Sequence, residues 1–159
     1  QGLSCFPADH PLHTGMSFGP AAVPAAQNAF KHCDCLIAIG TRFGEIATGS
    51  FGVSVPENLI HIDINPQVFN RNYPAKVALE GDAKQILSEL LEQMEDQPKA
   101  FPEILSSELG QKIAKDKQAL REEWKAHDSG SRVNPEAFFT ALRQQLPADG
   151  FLVVDDGNH

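Results

Sequence analysis

Two short apolar runs, each ended by a turn signal, constrain this chain more than any other feature. Cys35-Leu36-Ile37-Ala38-Ile39 runs into Gly40, and Leu59-Ile60-His61-Ile62-Asp63-Ile64 runs into Asn65-Pro66. Runs this short, apolar almost throughout, suit strands buried on both faces of a parallel sheet, which helices must then cover. The intervening segments agree. Residues 21–32 are Ala-rich, with Val23, Ala26 and Phe30 at helical spacing, and residues 41–56 read as a long Gly-containing loop. Val77-Ala78-Leu79 reads as a short third strand. Gly81-Asp82 then opens a helix with Asp82 as N-cap and Ile86, Leu87, Leu90, Leu91 and Met94 as its apolar face. Strands alternating with helices predict an α/β fold built on a parallel sheet.

The flanks are different in character. The first 20 residues hold Pro7, Pro11, Pro20, Gly2, Gly15 and Gly19, which is loop composition. After Asp96-Gln97-Pro98, residues 103–127 read as a charged helix with Ile104, Leu105, Ile113, Leu120 and Trp124 on one side. Its Lys and Glu residues are most simply a solvated face. Asp128-Ser129-Gly130-Ser131 reads as a linker. Pro135 stands at the N1 position of a further helix with Phe138, Phe139 and Leu142 as its stripe. Phe151-Leu152-Val153-Val154 reads as a strand. The expected division is a sheet domain over 1–96, a helical linker over 97–132 and the start of another domain over 133–159. Gln1-Gly2-Leu3-Ser4 and Asp156-Gly157-Asn158-His159 read as an abrupt entry and exit, so a piece of a longer protein is expected. A strand at 151–154 without partners would expose apolar side chains and bare backbone together, so this tail is either disordered or docked on another copy; docking, and hence a homo-oligomer, is expected because Phe138, Phe139 and Leu142 add an apolar face.

Composition narrows the partners. The 159 residues are 42% hydrophobic and 21% charged, which is ordinary globular composition. With 21 acidic against 13 basic residues the net charge is −8, a poor match for nucleic acid or an anionic membrane surface. No apolar run approaches the length of a bilayer span, and no signal-peptide pattern opens the sequence. Three cysteines, Cys5, Cys33 and Cys35, are too few for a disulfide framework, and a reducing cytoplasm is expected.

Ligands of open α/β sheets sit beyond the carboxyl ends of the strands. Three places qualify: the Gly40-Thr41-Arg42-Phe43-Gly44 turn, Asp63, and Gly81-Asp82 at a helix start. An acidic residue about 20 positions after a glycine turn is the usual ribose ligand of dinucleotide folds, yet glycines at 40, 44, 49 and 52 do not spell G-x-G-x-x-G. A nucleotide-type ligand and a merely structural turn both remain open. Arg42 either clamps a phosphate or pairs at the surface with Glu45 or Asp63. His32-Cys33-x-Cys35 resembles half a zinc site without a second ligand pair, so these thiols read as buried and apolar. Asp9-His10 and Asp155-Asp156 come with no nucleophile motif. His61, mid-strand, reads as a core histidine.

In order along the chain these segments resemble the central domain of thiamine-diphosphate-dependent enzymes of the acetolactate synthase type. Gly2…Phe6-Pro7…His10-Pro11-Leu12…Gly15-Met16 resembles the loop after that domain's early strand and helix. Asp34-Cys35-Leu36-Ile37-Ala38-Ile39-Gly40-Thr41-Arg42-Phe43 resembles its "aDlvlaiGtRf" strand and turn. His61-Ile62-Asp63-Ile64-Asn65-Pro66, continued by Asn70-Arg71-Asn72-Tyr73, resembles its "hiDiDp" motif. Gly81-Asp82-Ala83 resembles the "GDa" helix start. Asn134-Pro135-Glu136 and Val154-Asp155-Asp156-Gly157-Asn158-His159 resemble the opening of the third domain, which holds the cofactor diphosphate.

The resemblance implies a Rossmann-like domain that holds FAD structurally, with Gly15, Gly40, Arg42, Phe43, Asp63, Ile64, Gly81 and Asp82 as its ligands. It places Gly157, Asn158 and His159 in the thiamine diphosphate domain. Relatives bind ADP in the same crevice, and others leave it empty. Two departures, Gly44-Glu45-Ile46 in place of Asp-Asp-Arg and Val68 in place of Glu, leave FAD, ADP and an empty crevice all open. They also leave acetolactate synthesis, other carboligations and 2-oxoacid decarboxylation open. The family's activating glutamate and its metal-binding Gly-Asp-Gly…Asn motif lie in other parts of such a chain. The resemblance therefore implies thiamine diphosphate and Mg²⁺ in the parent enzyme, and neither a catalytic residue nor a metal ligand in this segment. The rival readings are a nucleotide-binding or regulatory module without a catalytic parent, and a purely structural interaction domain.

Overall fold

A computed structural model describes residues 5–15, 19, 22–96 and 107–153. The chain divides into two compact units, residues 1–117 and 118–159.

The first unit carries the parallel sheet that the apolar runs predict. Strands β1 (Cys35–Ile39), β2 (Asn58–Asp63) and β3 (Val77–Glu80) pair in the order β1-β2-β3, all parallel. Ile39 lies beside Ile62 and Asp63 beside Glu80, so the three carboxyl ends finish level. Helix α1 (Pro24–Lys31) precedes the sheet and starts on a proline, where no intrahelical N–H is needed. The expected start at residue 21 falls outside the described residues. Helix α2 (Ala83–Gln93) follows β3 and packs on β2. Its cap is the one expected, the Asp82 carboxylate accepting from the backbone N–H groups of Lys84 and Gln85 at 2.9 and 3.2 Å.

Burial on both faces holds for β2 and fails for β1. Leu59, His61 and Ile62 are enclosed, while Ile37 and Ile39 stand 54% and 43% exposed. In β1 only Leu36 and Ala38 turn inward, because the helix cover provided by α2 reaches β2. The inner face is covered by loop. Ala38, Phe43 and Leu59 form the core cluster, with Leu36, Val55, Tyr73 and Ala75 packed on it. Residues 41–56 thus contribute Phe43 and Val55 to the core, and buried Thr48 pins the loop through its hydroxyl, which donates to the Gly44 carbonyl at 2.9 Å.

Helix α3 (Glu108–Ala126) realises the charged helix expected over 103–127, whose residues 103–106 lie outside the described residues. Within the first unit its buried Ile113 and the buried Ala25 of α1 line a common groove. Asn28 donates to the Asp116 carboxylate at 2.7 Å, and Lys117 donates to the His13 carbonyl at 3.0 Å.

In the second unit the end of α3 and helix α4 (Pro135–Gln145) are joined by Asn134. Its amide nitrogen donates to the carbonyls of Trp124 and His127 at 2.9 and 3.1 Å, and its oxygen accepts from the Ala137 N–H at 3.1 Å. One side chain therefore ends one helix and caps the next. Phe138 and Phe139 stack edge to face yet remain half exposed. The strand expected at 151–154 is not formed over 151–153, where Phe151 and Val153 are 96% and 93% exposed, and Val154 lies outside the described residues. The described part of this unit has no other strand, so nothing there offers backbone to pair with.

Asp116 makes the α1–α3 contact sensitive to acid. Hydrogen bonds from Lys112 and from Asn28 hold its carboxyl below the usual carboxylate range. A depressed carboxyl stabilises the fold fully above its unfolded pKa of about 4 and loses that contribution as pH falls through the lower folded value. Thermal unfolding of the native chain and Asp116→Asn should therefore differ most near neutral pH and converge at strongly acid pH. A difference that stays constant with pH would show that the tie carries no linkage.

Candidate functional site

The level strand ends bring most of the candidate residues into one row. The Gly40 N–H extends the β1–β2 ladder by donating to the Ile62 carbonyl at 2.9 Å, and the Gly81 N–H donates to the Asp63 carbonyl at 3.1 Å. Gly40 has φ +63, a left-handed conformation that favours glycine, and the space its side chain would take is open to at least 4 Å. At Gly81, φ +155, a Cβ would stand 3.1 Å from Ile86 Cδ1, so glycine there lets α2 close on the strand end. Gly40, Asp63 and Gly81 thus sit on neighbouring strands at the carboxyl edge, where α/β sheets hold ligands.

The turn after β1 is held from below. Phe43 is a non-glycine residue in the left-handed region, φ +48, a conformation costing of the order of 1–3 kcal/mol. Its ring is enclosed, 5.4 Å from the His61 ring and 5.2 Å from Tyr73. Burial of such a ring is worth roughly 1.5–3 kcal/mol, enough to offset the strain. Phe43 can therefore meet a ligand only through its backbone. His61 is the core histidine expected, 1% exposed, with Nε2 2.8 Å from the Thr41 carbonyl. Because a carbonyl only accepts, that nitrogen carries the proton. Asn72, which sequence reasoning did not single out for a role, donates through Nδ2 to the carbonyls of Arg42 and Phe43 at 3.1 and 3.0 Å. A lone Asn in a polar stretch 30 residues beyond Arg42 carries no signal of that contact.

Arg42 is exposed and makes no ion pair among the described residues, so the surface pairing with Glu45 or Asp63 is not found. Asp63 has one oxygen engaged by the Asn65 N–H at 2.8 Å, a turn that directs the chain away from the sheet. Ile64 beside it is 72% exposed. Asp82 is engaged as the α2 cap. Gly15, φ +103, donates its N–H to His13 Nδ1 at 3.2 Å. Gly157, Asn158 and His159 lie outside the described residues. Cys5 is exposed; Cys33 donates to the Cys35 carbonyl at 2.9 Å and burial pushes its thiol pKa up, while Cys35 is exposed rather than buried. Among the described residues no cluster of His, Cys, Asp or Glu could hold a metal, and no helix is long and apolar enough to cross a membrane.

Comparison with known proteins agrees with this geometry. Residues 1–90 match the family described as "Thiamine pyrophosphate enzyme, central domain". A probable acetolactate synthase large subunit of Methanocaldococcus jannaschii is 46% identical over 92 residues, covering 57% of this chain and 15% of the relative. The acetolactate synthase isozyme 2 large subunit of Escherichia coli is 32% identical over 162 residues, covering 100% of this chain and 27% of the relative. A probable 2-ketoarginine decarboxylase of Pseudomonas aeruginosa is 29% identical over 154 residues, covering 97% and 25%. The chain thus spans about a quarter or less of the length of these relatives. A parallel sheet with level carboxyl ends, in a chain matched over residues 1–90 by that family, makes it a member of the thiamine pyrophosphate enzyme central-domain family.

Proposed function

We propose that this chain is the nucleotide-holding central domain of a thiamine-diphosphate-dependent enzyme that joins 2-oxoacids in the manner of acetolactate synthase. The observation that carries the reading is the row Gly40, Asp63 and Gly81 at the carboxyl edge, flanked by exposed Arg42, which makes no ion pair among the described residues. The residues present fit an FAD or ADP diphosphate: Gly40 leaves the space of a side chain open, and Arg42 offers a guanidinium free to take a phosphate in fork geometry. Asp63 would meet the ribose, Ile64 would give apolar contact, and Gly81 and Asp82 would line the crevice beside the nucleotide. The nucleotide's role there is structural.

In this reading residues 1–96 are the central domain, 97–132 a helical linker and 133–159 the start of the diphosphate-binding domain. Gly15 would also touch the nucleotide, and Gly157, Asn158 and His159 would belong to the thiamine diphosphate site. Thiamine diphosphate and Mg²⁺, the 2-oxoacid substrate and the catalytic groups are then held mainly by further domains of a longer, homo-oligomeric, cytoplasmic parent. Exposed Ile37 and Ile39 on β1, and Leu91 and Met94 on α2, give such domains apolar surface to cover.

Two outcomes are expected. Calorimetric titration with ADP and with FAD should show binding, and Arg42→Ala should weaken it by about 1.5–3 kcal/mol, the worth of a charge-assisted hydrogen bond. Equal affinity in the native and substituted chains would return Arg42 to the solvated surface. The 159-residue chain supplied with thiamine diphosphate, Mg²⁺ and pyruvate should release neither acetolactate nor CO₂, since the activating groups are placed elsewhere. Turnover by this chain alone would overturn the domain assignment.

A further inference from the structure

The carbonyls of Thr41, Arg42 and Phe43 are consecutive, and each is taken by a side chain from outside the turn. His61 Nε2 takes the first at 2.8 Å, and Asn72 Nδ2 takes the second and third at 3.1 and 3.0 Å. Neither donor is placed there by local sequence. His61 reaches the turn from the middle of β2, enclosed between the rings of Phe43 and Phe69 at 5.4 and 5.1 Å. Asn72 comes from the segment between β2 and β3. Within the turn the Phe43 N–H donates to the Thr41 hydroxyl at 3.3 Å.

Three carbonyls engaged in this way have an electrostatic consequence. A peptide oxygen facing an anion opposes its binding, whereas one already accepting a hydrogen bond from the protein is turned from that role. What remains for an incoming phosphate at this strand end is the Arg42 side chain and the open space beside Gly40. We propose that His61 and Asn72 are positioning residues: by holding the three carbonyls they fix the turn so that Arg42 meets the diphosphate of a bound nucleotide. The proposal rests on the nucleotide reading of the crevice, and assigns to two residues that need not touch the ligand the task of aiming the one that does.

The test is ADP binding by the full 159-residue chain, by calorimetry, with folding of each variant checked by circular dichroism. Asn72→Leu keeps the volume and removes both donors without adding charge, and His61→Phe keeps the ring and removes one. Each should weaken ADP about tenfold, the order expected when a hydrogen bond that orders a charged group is lost. His61→Gln, which keeps a donor, should stay within about threefold of the native chain. In an Arg42→Ala background Asn72→Leu should cost almost nothing more, because coupled residues are not additive. Adenosine, which lacks phosphate, should bind all these chains alike. Purely structural residues would instead weaken ADP by the same factor with or without Arg42, and that additivity would overturn the proposal. So would native ADP affinity in folded Asn72→Leu and His61→Phe while Arg42→Ala is impaired, a result that leaves the nucleotide reading intact. No ADP binding by the native chain would overturn the reading and the proposal together.

Discussion

Strand β2 is hydrogen-bonded along both edges, to β1 through five paired positions and to β3 through four, and the site depends on that double ladder. Parallel pairing fixes register over the whole strand, since a slip of one residue would exchange the faces taken by Leu59 and His61 and by Ile60 and Ile62. With register fixed, the carboxyl ends finish level, and the next residue on either side, Gly40 or Gly81, donates once more to β2. The crevice is therefore a property of the ladder.

The same strand supplies an expense that a merely stable sheet would avoid. His61 Nδ1 and the Tyr73 hydroxyl are buried without a hydrogen-bond partner among the described residues, and both rings lie against Phe43. An unmet buried polar atom costs about 1–3 kcal/mol. Leucine at 61 would remove that cost and pack the core as well. What leucine could not do is hold the Thr41 carbonyl. The left-handed Phe43 and the polar side chains beneath it are best understood together, as a strained turn kept in place by buried groups whose use lies at the surface.

Much of this was legible in the sequence because the relevant signals are local. The runs at 35–39 and 59–64 specify strands by length and composition, Asp82 and Pro135 mark helix starts through capping chemistry, and glycines mark the turns. The candidates Gly40, Arg42, Asp63 and Gly81 follow from strand ends alone. The failures are equally physical. Burial depends on what lies over a strand, which β1 itself does not encode, and the apolar run at 151–153 cannot become a strand without an edge to join. Asn72 was out of reach because its role is a long-range contact between two polar segments. No periodicity marks a side chain that closes a turn 30 residues away.

The proposed function turns on whether a nucleotide diphosphate binds at the carboxyl edge of this sheet. Backbone amide chemical shifts followed during an ADP titration test it directly, because they report position rather than affinity. Saturable shifts are expected at Gly40, Arg42, Phe43, Ile64, Gly81 and Asp82, with Ala25 and Ile113 in the α1–α3 groove unmoved. Shifts confined to that groove, or no shifts at the strand ends at saturating ADP, would contradict it.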